Sequence, residues 1–407
     1  MIYRQALDKT MTPSFAEPYL PSEQSIARSV LPEKALELER KSSALAGKAA
    51  APVKLILEKH MRAVNSYFSN LIEGNNTKPW AIRRAATGDL SADATARGLQ
   101  LESLAHMQAQ DWLREQNVDL KTLCSRDFLC ELHRVLYQTM PDSALLITND
   151  TPKNGSTLVP GAFRNRDVIV GRHVPPEAND LHSFMARFQD VYGSKRAGLT
   201  PIIAGMAAHH RLVWIHPFLD GNGRVARLFT DEYLRQIGVG GVGLWVMSRG
   251  LARSHAQYKL RLHQADIPRQ GDYDGRGNLS EKELIAFCDY MLDTALDQVD
   301  YTAELLQFDG MLQRIKSYVL ARNDGRIPRY GTLPPEASVL LERAFVTGTI
   351  ERRKVYEMFH GRSERTIRAT VQQLKAEGLL SEISSRSTLS WAIPEHAESY
   401  YFPELNP

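Results

Sequence analysis

Apolar residues recur at helical spacing along most of the 407-residue chain. Leu57, Met61, Val64, Phe68 and Leu71 follow a 4-3-4-3 spacing, which puts them on one stripe of a helix. Pro52 suits the first turn of that helix, and Gly74 with the asparagines after it ends it. The pattern predicts helical structure from Glu33 to Asn75 and two more helices within Leu99–Thr139. Further helices are expected at Asp180–Tyr192, Pro201–Trp214, Arg224–Gln236, Ala252–Ala265 and Ser280–Val319. The first 32 residues hold Pro13, Pro18, Pro21 and Pro32 and read as an irregular arm on the body. Thr148–Pro176 is rich in Pro, Gly and β-branched residues, and within it Gly161–Gly171 reads as a short hairpin.

A Pro/Gly-rich break at Asn323–Pro335 marks a domain boundary. Two domains are expected: 1–325, with a helix at about 53–75 and a core at about 99–320, and 335–407. The second part reads as helix, helix, turn, helix, then strand-like runs at Leu379–Ile383 and Thr388–Ile393 around Ser384–Ser387. This layout resembles a winged helix-turn-helix. From Glu351 to Glu377 seven Lys/Arg face four Glu, and Arg362, Arg365 and Arg368 are placed to meet phosphates or base edges. The competing use of such a module is protein contact or dimerisation.

Composition narrows the class without choosing a partner. With 43% apolar and 24% charged residues, disorder over the whole chain and fibrous repeats are excluded. A net charge of +3 demands neither nucleic acid nor membrane. Cys124, Cys130 and Cys288 form no C-x-x-C pair, so a disulfide framework and a zinc ribbon are unsupported. Met1–Thr10 has no apolar h-region, and Ile237–Ser248 is too short for a bilayer, which needs about 20 apolar residues. A cytoplasmic protein is expected.

The chemistry concentrates in His216-Pro-Phe-Leu-Asp-Gly-Asn-Gly-Arg-Val-Ala-Arg227. An apolar helix breaks at Pro217, a tight Gly221-Asn222-Gly223 loop follows, and an amphipathic helix starts near Arg224. N–H groups converging at a helix start make an anion site. Arg224 and Arg227 oppose the helix dipole there, which makes sense if a multiply charged anion lies between them. Asp220 beside phosphate-binding groups suits Mg²⁺. His216 at the loop entry can take a proton from a hydroxyl. These parts describe transfer of a phosphorus-centred group from a Mg-nucleotide to a hydroxyl.

With every fixed position present, the segment resembles the signature H-x-F-x-[DE]-G-N-G-R-x-x-R of Fic-domain proteins. The resemblance implies a mainly α fold, the Fic helical fold with a β-hairpin flap, here followed by the winged-helix module. It implies protein AMPylation: AMP passes from ATP to a Ser, Thr or Tyr hydroxyl of a target protein, with the chain itself one candidate target. In that reading His216 is the general base and Asp220 the Mg²⁺ ligand. Gly221, Asn222 and Gly223 line the anion hole, Arg224 and Arg227 contact the phosphates, and Phe218 is a buried anchor. Tyr258 lies where the family has aromatic residues near the base, although Gln257 stands where a second Tyr is common.

Two further segments carry the resemblance. Ser69-Asn-Leu-Ile-Glu73-Gly74 resembles the family's inhibitory motif [ST]-x-x-x-E-[GN], whose glutamate would pair with Arg227 in the place of the ATP γ-phosphate. A carboxylate at a helix C-terminus is disfavoured by about 0.3–1 kcal/mol, so a positive partner is expected. The hairpin, with Gly161, Phe163, Arg164, Val168 and Ile169, resembles the flap that docks an extended target segment. His209 reads as a hydrogen-bonded packing residue and not a metal ligand. Asp272–Gly277 fails as a calcium loop because Arg276 stands at a ligand position. Alternative readings are a DNA-binding regulator whose Fic body senses nucleotide, and a Fic enzyme that removes AMP or transfers another phosphate-linked group. A homodimer is a further expectation left open.

Overall fold

The computed structural model describes residues 11–48, 50–147, 156–382 and 388–403. Thr148–Gly155, at the start of the Pro/Gly-rich region, and the expected strand end and loop at Ile383–Ser387 lie outside the described residues. Helices come first: α1 (Glu23–Arg28), α2 (Leu31–Lys48), α3 (Ala51–Ile72), α4 (Pro79–Ala86), α5 (Ala94–Glu115), α6 (Leu120–Leu123) and α7 (Arg126–Tyr137). A short antiparallel pair follows, β1 (Leu146–Ile147) with β2 (Ser156–Thr157). Then come α8 (Leu181–Tyr192), α9 (Thr200–Ile215), α10 (Asn222–Gln236), α11 (Met247–Arg253), α12 (His255–Ala265), α13 (Glu281–Leu305) and α14 (Phe308–Asn323). The last part holds α15 (Pro335–Thr347), β3 (Thr349–Ile350), α16 (Arg352–Glu357), α17 (Glu364–Ala376), β4 (Leu380–Ser381), β5 (Leu389–Trp391) and α18 (Glu395–Tyr401). Its strands form an antiparallel sheet of order β3-β5-β4.

Helix α9 is the centre of the body. It is buried all round, as Ile202–Leu212 shows, with His209, His210 and Arg211 as its enclosed polar residues. Helices α8, α10, α13 and α2 enclose it, while α3 packs against α5 and α11. The stripe read on α3 is buried at Leu57, Met61, Val64 and Phe68, with Ile72 taking the inward place beyond Leu71. Among the described residues no helix is long and apolar enough to cross a membrane.

Several expectations change. The N-terminal arm, described from Met11, holds a 3-10 turn at Pro13–Ala16 and α1, capped by the Ser22 hydroxyl on Ser25 N–H. Buried Arg211 holds that arm through the Pro18 carbonyl at 2.8 Å. The run Ala252–Ala265 begins earlier and breaks at Ser254, whose hydroxyl bonds back to the Gly250 carbonyl at 2.9 Å. The run Ser280–Val319 breaks at Gln307, where the backbone turns extended. The hairpin has no strand over Gly161–Gly171, which runs through a turn and a bend without ladder pairing. Its single bridge joins Val170 to His173, so Gly171 sits at the tip and not at the end.

The break after Asn323 is a loop, but the chain packs across it. Arg322 of α14 pairs with Glu377 at 2.7 Å, and Arg314 donates to the Tyr401 carbonyl at 2.7 Å. On the body side, Arg83 of α4 pairs with buried Glu398 of α18.

Candidate active site

Helix α9 ends on His216 in a left-handed conformation, φ 50 and ψ 60. For a residue other than glycine this costs on the order of 1–3 kcal/mol and persists only where the surroundings over-determine it. Pro217 cannot continue the helix, because it has no N–H to donate. The His216 Nδ1 is buried without a hydrogen-bond partner. Burial first, then the nearby His173 and Arg164, hold the imidazole down to about 4, so it is neutral at pH 7.

The loop beyond is closed by its own side chains. Asn222 accepts from Phe218 N–H at 3.0 Å and donates to the Phe218 carbonyl at 2.8 Å. Phe218 is fully buried and stacks on His133, with centroids 4.0 Å apart and planes 4° from parallel. Gly221 has φ 79, and a Cβ there would lie 2.9 Å from the Tyr137 ring, so glycine is required twice over. Val225 N–H reaches the Gly221 carbonyl at 2.9 Å, which leaves the N–H groups before it without partners inside α10.

Helix α7 sets the acid. Tyr137 donates to Asp220 Oδ2 at 2.6 Å, and His133 donates through Nε2 to the Asp220 carbonyl at 3.2 Å. The other ring nitrogen of His133 accepts Gly161 N–H at 2.9 Å, and burial lowers that imidazole to about 4. Arg224 donates to Asp220 at 2.9 Å and to Tyr137 at 2.8 Å, and it pairs with Glu102 of α5. Burial works to raise the Asp220 carboxyl, but Arg224, Tyr137 and Gly221 N–H outweigh it, so it stays below its ordinary value. The side chain is 51% exposed and so open to solvent.

Helix α3 brings its C-terminus to the start of α10. Arg227, 2% exposed, donates to Ser69 Oγ at 2.9 Å, to the Ser69 carbonyl at 3.0 Å and to Glu73 Oε1 at 2.6 Å. Gly223 packs so closely on the Glu73 carboxylate that a Cβ would overlap it. The carboxylate therefore lies against the N-terminus of α10, where a negative charge is favoured. Burial pushes its pKa up and Arg227 more than offsets this, leaving it below the usual range. Gly74, at φ 98, turns the chain away. Asn75 then donates to Glu102, the residue that also holds Arg224.

The remaining residues singled out in the sequence separate into three places. Ile169 is 74% exposed and Val168 half-buried on the arm before the bridge. Phe163 packs edge-on against Phe218, and Gly161 lies on α7. Arg164 is not on the docking edge where the sequence reading put it: it is buried, and its nitrogens donate to carbonyls of the protein's own backbone. Tyr258 is also displaced from its expected role. Its ring is buried and its hydroxyl bonds His209 Nε2 at 2.7 Å, so it braces α9 against α12 and offers no face to a base. His209 bonds Thr230 at 2.8 Å through its other nitrogen.

The site also contains His133, Tyr137, Glu102 and His173, which lie outside the motif segments. The signal for two of them was present: His133 and Tyr137 are polar residues four apart on the apolar side of α7, beside Leu129, Leu132 and Leu136. Chemically the site joins a neutral imidazole, an ionised carboxylate, a helix N-terminus and two guanidiniums. Among the described residues no group of three or more His, Cys, Asp or Glu could hold a metal by itself. A divalent ion would therefore rest on Asp220 and on oxygens brought by a substrate, which fits Mg²⁺ with a nucleotide.

Residues 123–234 match the Fic/DOC family. The chain is 32% identical over 173 residues to a protein adenylyltransferase Fic of Drosophila willistoni, a match covering 42% of this chain and 32% of that one. It is 31% identical over 241 residues to the protein adenylyltransferase Fic of Culex quinquefasciatus, covering 58% and 45% respectively. The chain thus spans less than half the length of these relatives. Among solved structures, a Fic family protein from Desulfovibrio desulfuricans aligns with a TM-score of 0.52 at 15% identity, covering 88% of this chain and 96% of that one. A fragment of Fic-1 from C. elegans aligns with a TM-score of 0.52 at 16% identity, covering 69% and 73%. At these identities the likeness to solved structures is one of fold.

Proposed function

We propose that the protein, whose residues 123–234 match the Fic/DOC family, transfers AMP from Mg-ATP to a hydroxyl side chain of a target protein, and that Glu73 holds this activity in check. One observation carries the reading: a carboxylate, Glu73, lies on the helix N-terminus and on Arg227, where a nucleotide phosphate would otherwise lie. Neutral His216 takes the proton of the target hydroxyl, whose oxygen attacks the α-phosphorus as pyrophosphate leaves. The N-terminus of α10, with Arg224 and Arg227, holds the phosphates. Asp220 would hold Mg²⁺, which supplies charge neutralisation on those phosphates. Val168 and Ile169 form the edge against which an extended target segment would lie.

The test is intact mass and α-labelled ATP incorporation with Mg²⁺. Glu73→Gly should raise labelling of the chain or of an added protein, and His216→Ala should remove it. No label from either protein on any acceptor would count against transfer. Removal of AMP, or transfer of a different phosphate-linked group, would use the same site, and the product mass on a modified target separates them.

A second reading, DNA binding by the C-terminal module, draws on one observation. On α17, Arg365 and Arg368 are exposed and have no ion-pair partner among the described residues. The rest of the basic run is neutralised: Arg352 and Lys375 pair with Glu382, Arg353 with Glu357, Lys354 with Glu351 and Arg362 with Glu336. A salt-dependent shift of the upstream DNA would support it. Equal affinity for random DNA, unchanged after deletion of 335–407, would end it.

A further inference from the structure

The last carbonyls of a helix have no donors within it. At the end of α9 they are capped from the segment that forms the flap. His173 donates to the Trp214 carbonyl at 2.7 Å, Arg164 Nε to the His216 carbonyl at 2.9 Å, and Arg164 N–H to the Pro217 carbonyl at 2.9 Å. A guanidinium is also the charge that a helix C-terminus favours. The other nitrogens of Arg164 reach the Arg166 carbonyl at 2.9 Å and the Pro176 carbonyl, one on each side of the Val170–His173 bridge. One buried side chain therefore ties both arms of the flap to the peptide of His216. At the far end of those arms Ile169, Val170 and Val174 are exposed.

On the transfer reaction proposed above, we propose that Arg164 is a positioning residue: it couples engagement of the Ile169 edge by an extended polypeptide to the placement of the His216 imidazole. The geometry explains the choice of residue. The guanidinium donates from three separate nitrogens held in one plane, so it reaches carbonyls that lie apart, whereas a lysine ammonium offers its donors from a single nitrogen. A left-handed histidine held by its neighbours moves when those neighbours move. The role is distinct from docking, because Arg164 is 2% exposed and cannot touch the target itself.

The test compares Arg164→Lys with its parent in a Glu73→Gly background. ATP affinity by calorimetry should stay within about twofold, while the labelling kcat falls about tenfold to a hundredfold, as for a misplaced catalytic group. Ile169→Glu should then cost less on top of Arg164→Lys than by itself, because the two act as one unit. Hydrogen exchange should quicken at 165–176 and at 214–219 together, with 126–137 unchanged. A folded Arg164→Lys that labels at the parental rate overturns the proposal, as does loosening confined to the flap. If that variant does not fold, Val170→Pro, which removes the N–H given to His173, takes its place in the exchange experiment. Loosening at the flap without change at 214–219 is then the refuting result. Should Glu73→Gly label nothing, the transfer reading falls, while the exchange data still decide the coupling.

Discussion

Replacing Glu73 by Gln keeps the length of the side chain and removes its charge. In the structure Arg227 remains anchored after this change, because Ser69 still accepts through its hydroxyl at 2.9 Å and its carbonyl at 3.0 Å. What is lost is the charged hydrogen bond at 2.6 Å. Such a bond contributes about 1.5–3 kcal/mol. Glu73 is 38% exposed, so solvent screening favours the lower end, about 1.5 kcal/mol. If ATP must displace Glu73 from Arg227, its affinity should rise about tenfold, since about 1.4 kcal/mol is one decade. Glu73→Gly should do at least as well, because it also clears the space beside Gly223. Stability should fall by about 1–2 kcal/mol: removing a carboxylate from the C-terminus of α3 is favourable by about 0.3–1 kcal/mol, but that gain is cancelled by loss of the same charge from the N-terminus of α10, leaving the lost pair. Calorimetric titration of Mg-ATP into wild type, both variants and each variant combined with Arg227→Ala measures this. Equal affinity for wild type and Glu73→Gln refutes the reasoning. So does a full gain that persists without Arg227.

Three other outcomes are expected. Burial holds His60, His106 and His209 to about 3 and His133 to about 4, so all four stay neutral when folded, whereas unfolded imidazoles titrate near 6.5. The unfolded chain then binds more protons as pH falls below about 6.5, and stability declines by about 1.4 kcal/mol per pH unit for each of them. Asp231, raised by burial to about 7, opposes one of the four in that range. Urea midpoints that do not fall between pH 7.5 and 5.5 would contradict this. Gly221→Ala puts a Cβ into the Tyr137 ring and a non-glycine residue at φ 79, which should cost at least about 1–2 kcal/mol, and an unchanged melting midpoint would refute it. Arg83→Ala leaves Glu398, 1% exposed, without its cation, since His60 at 3.4 Å is neutral. A loss of about 3–5 kcal/mol is expected from urea unfolding, and a much smaller one from Glu398→Gln.

Local chemistry was legible in the sequence. The stripe on α3, the stop at Pro217, the glycine loop and the start of α10 each depend on neighbours within one or two helical turns, so periodicity and cap chemistry found them. The Ser69–Glu73 spacing was legible for the same reason, as was the grouping of His216, Asp220, Arg224 and Arg227 within 12 residues. Residue type also suggested that His209 packs, and its two hydrogen bonds are inside the core.

Other features were decided by contacts between distant parts of the chain. Asp220 takes its orientation from His133 and Tyr137, more than 80 residues earlier, and Arg224 takes a partner 122 residues away. Sequence placed Arg164 on an edge and Tyr258 beside a base; tertiary packing buried both, because backbone carbonyls at the end of α9 and a core histidine needed donors. It also neutralised most of the basic run that the charge count had gathered near α17. A sequence by itself determines which groups are available and where helices begin and end. Which groups meet, and so which charges remain open to a ligand, follows from burial: an enclosed polar atom must find a partner wherever the fold supplies one.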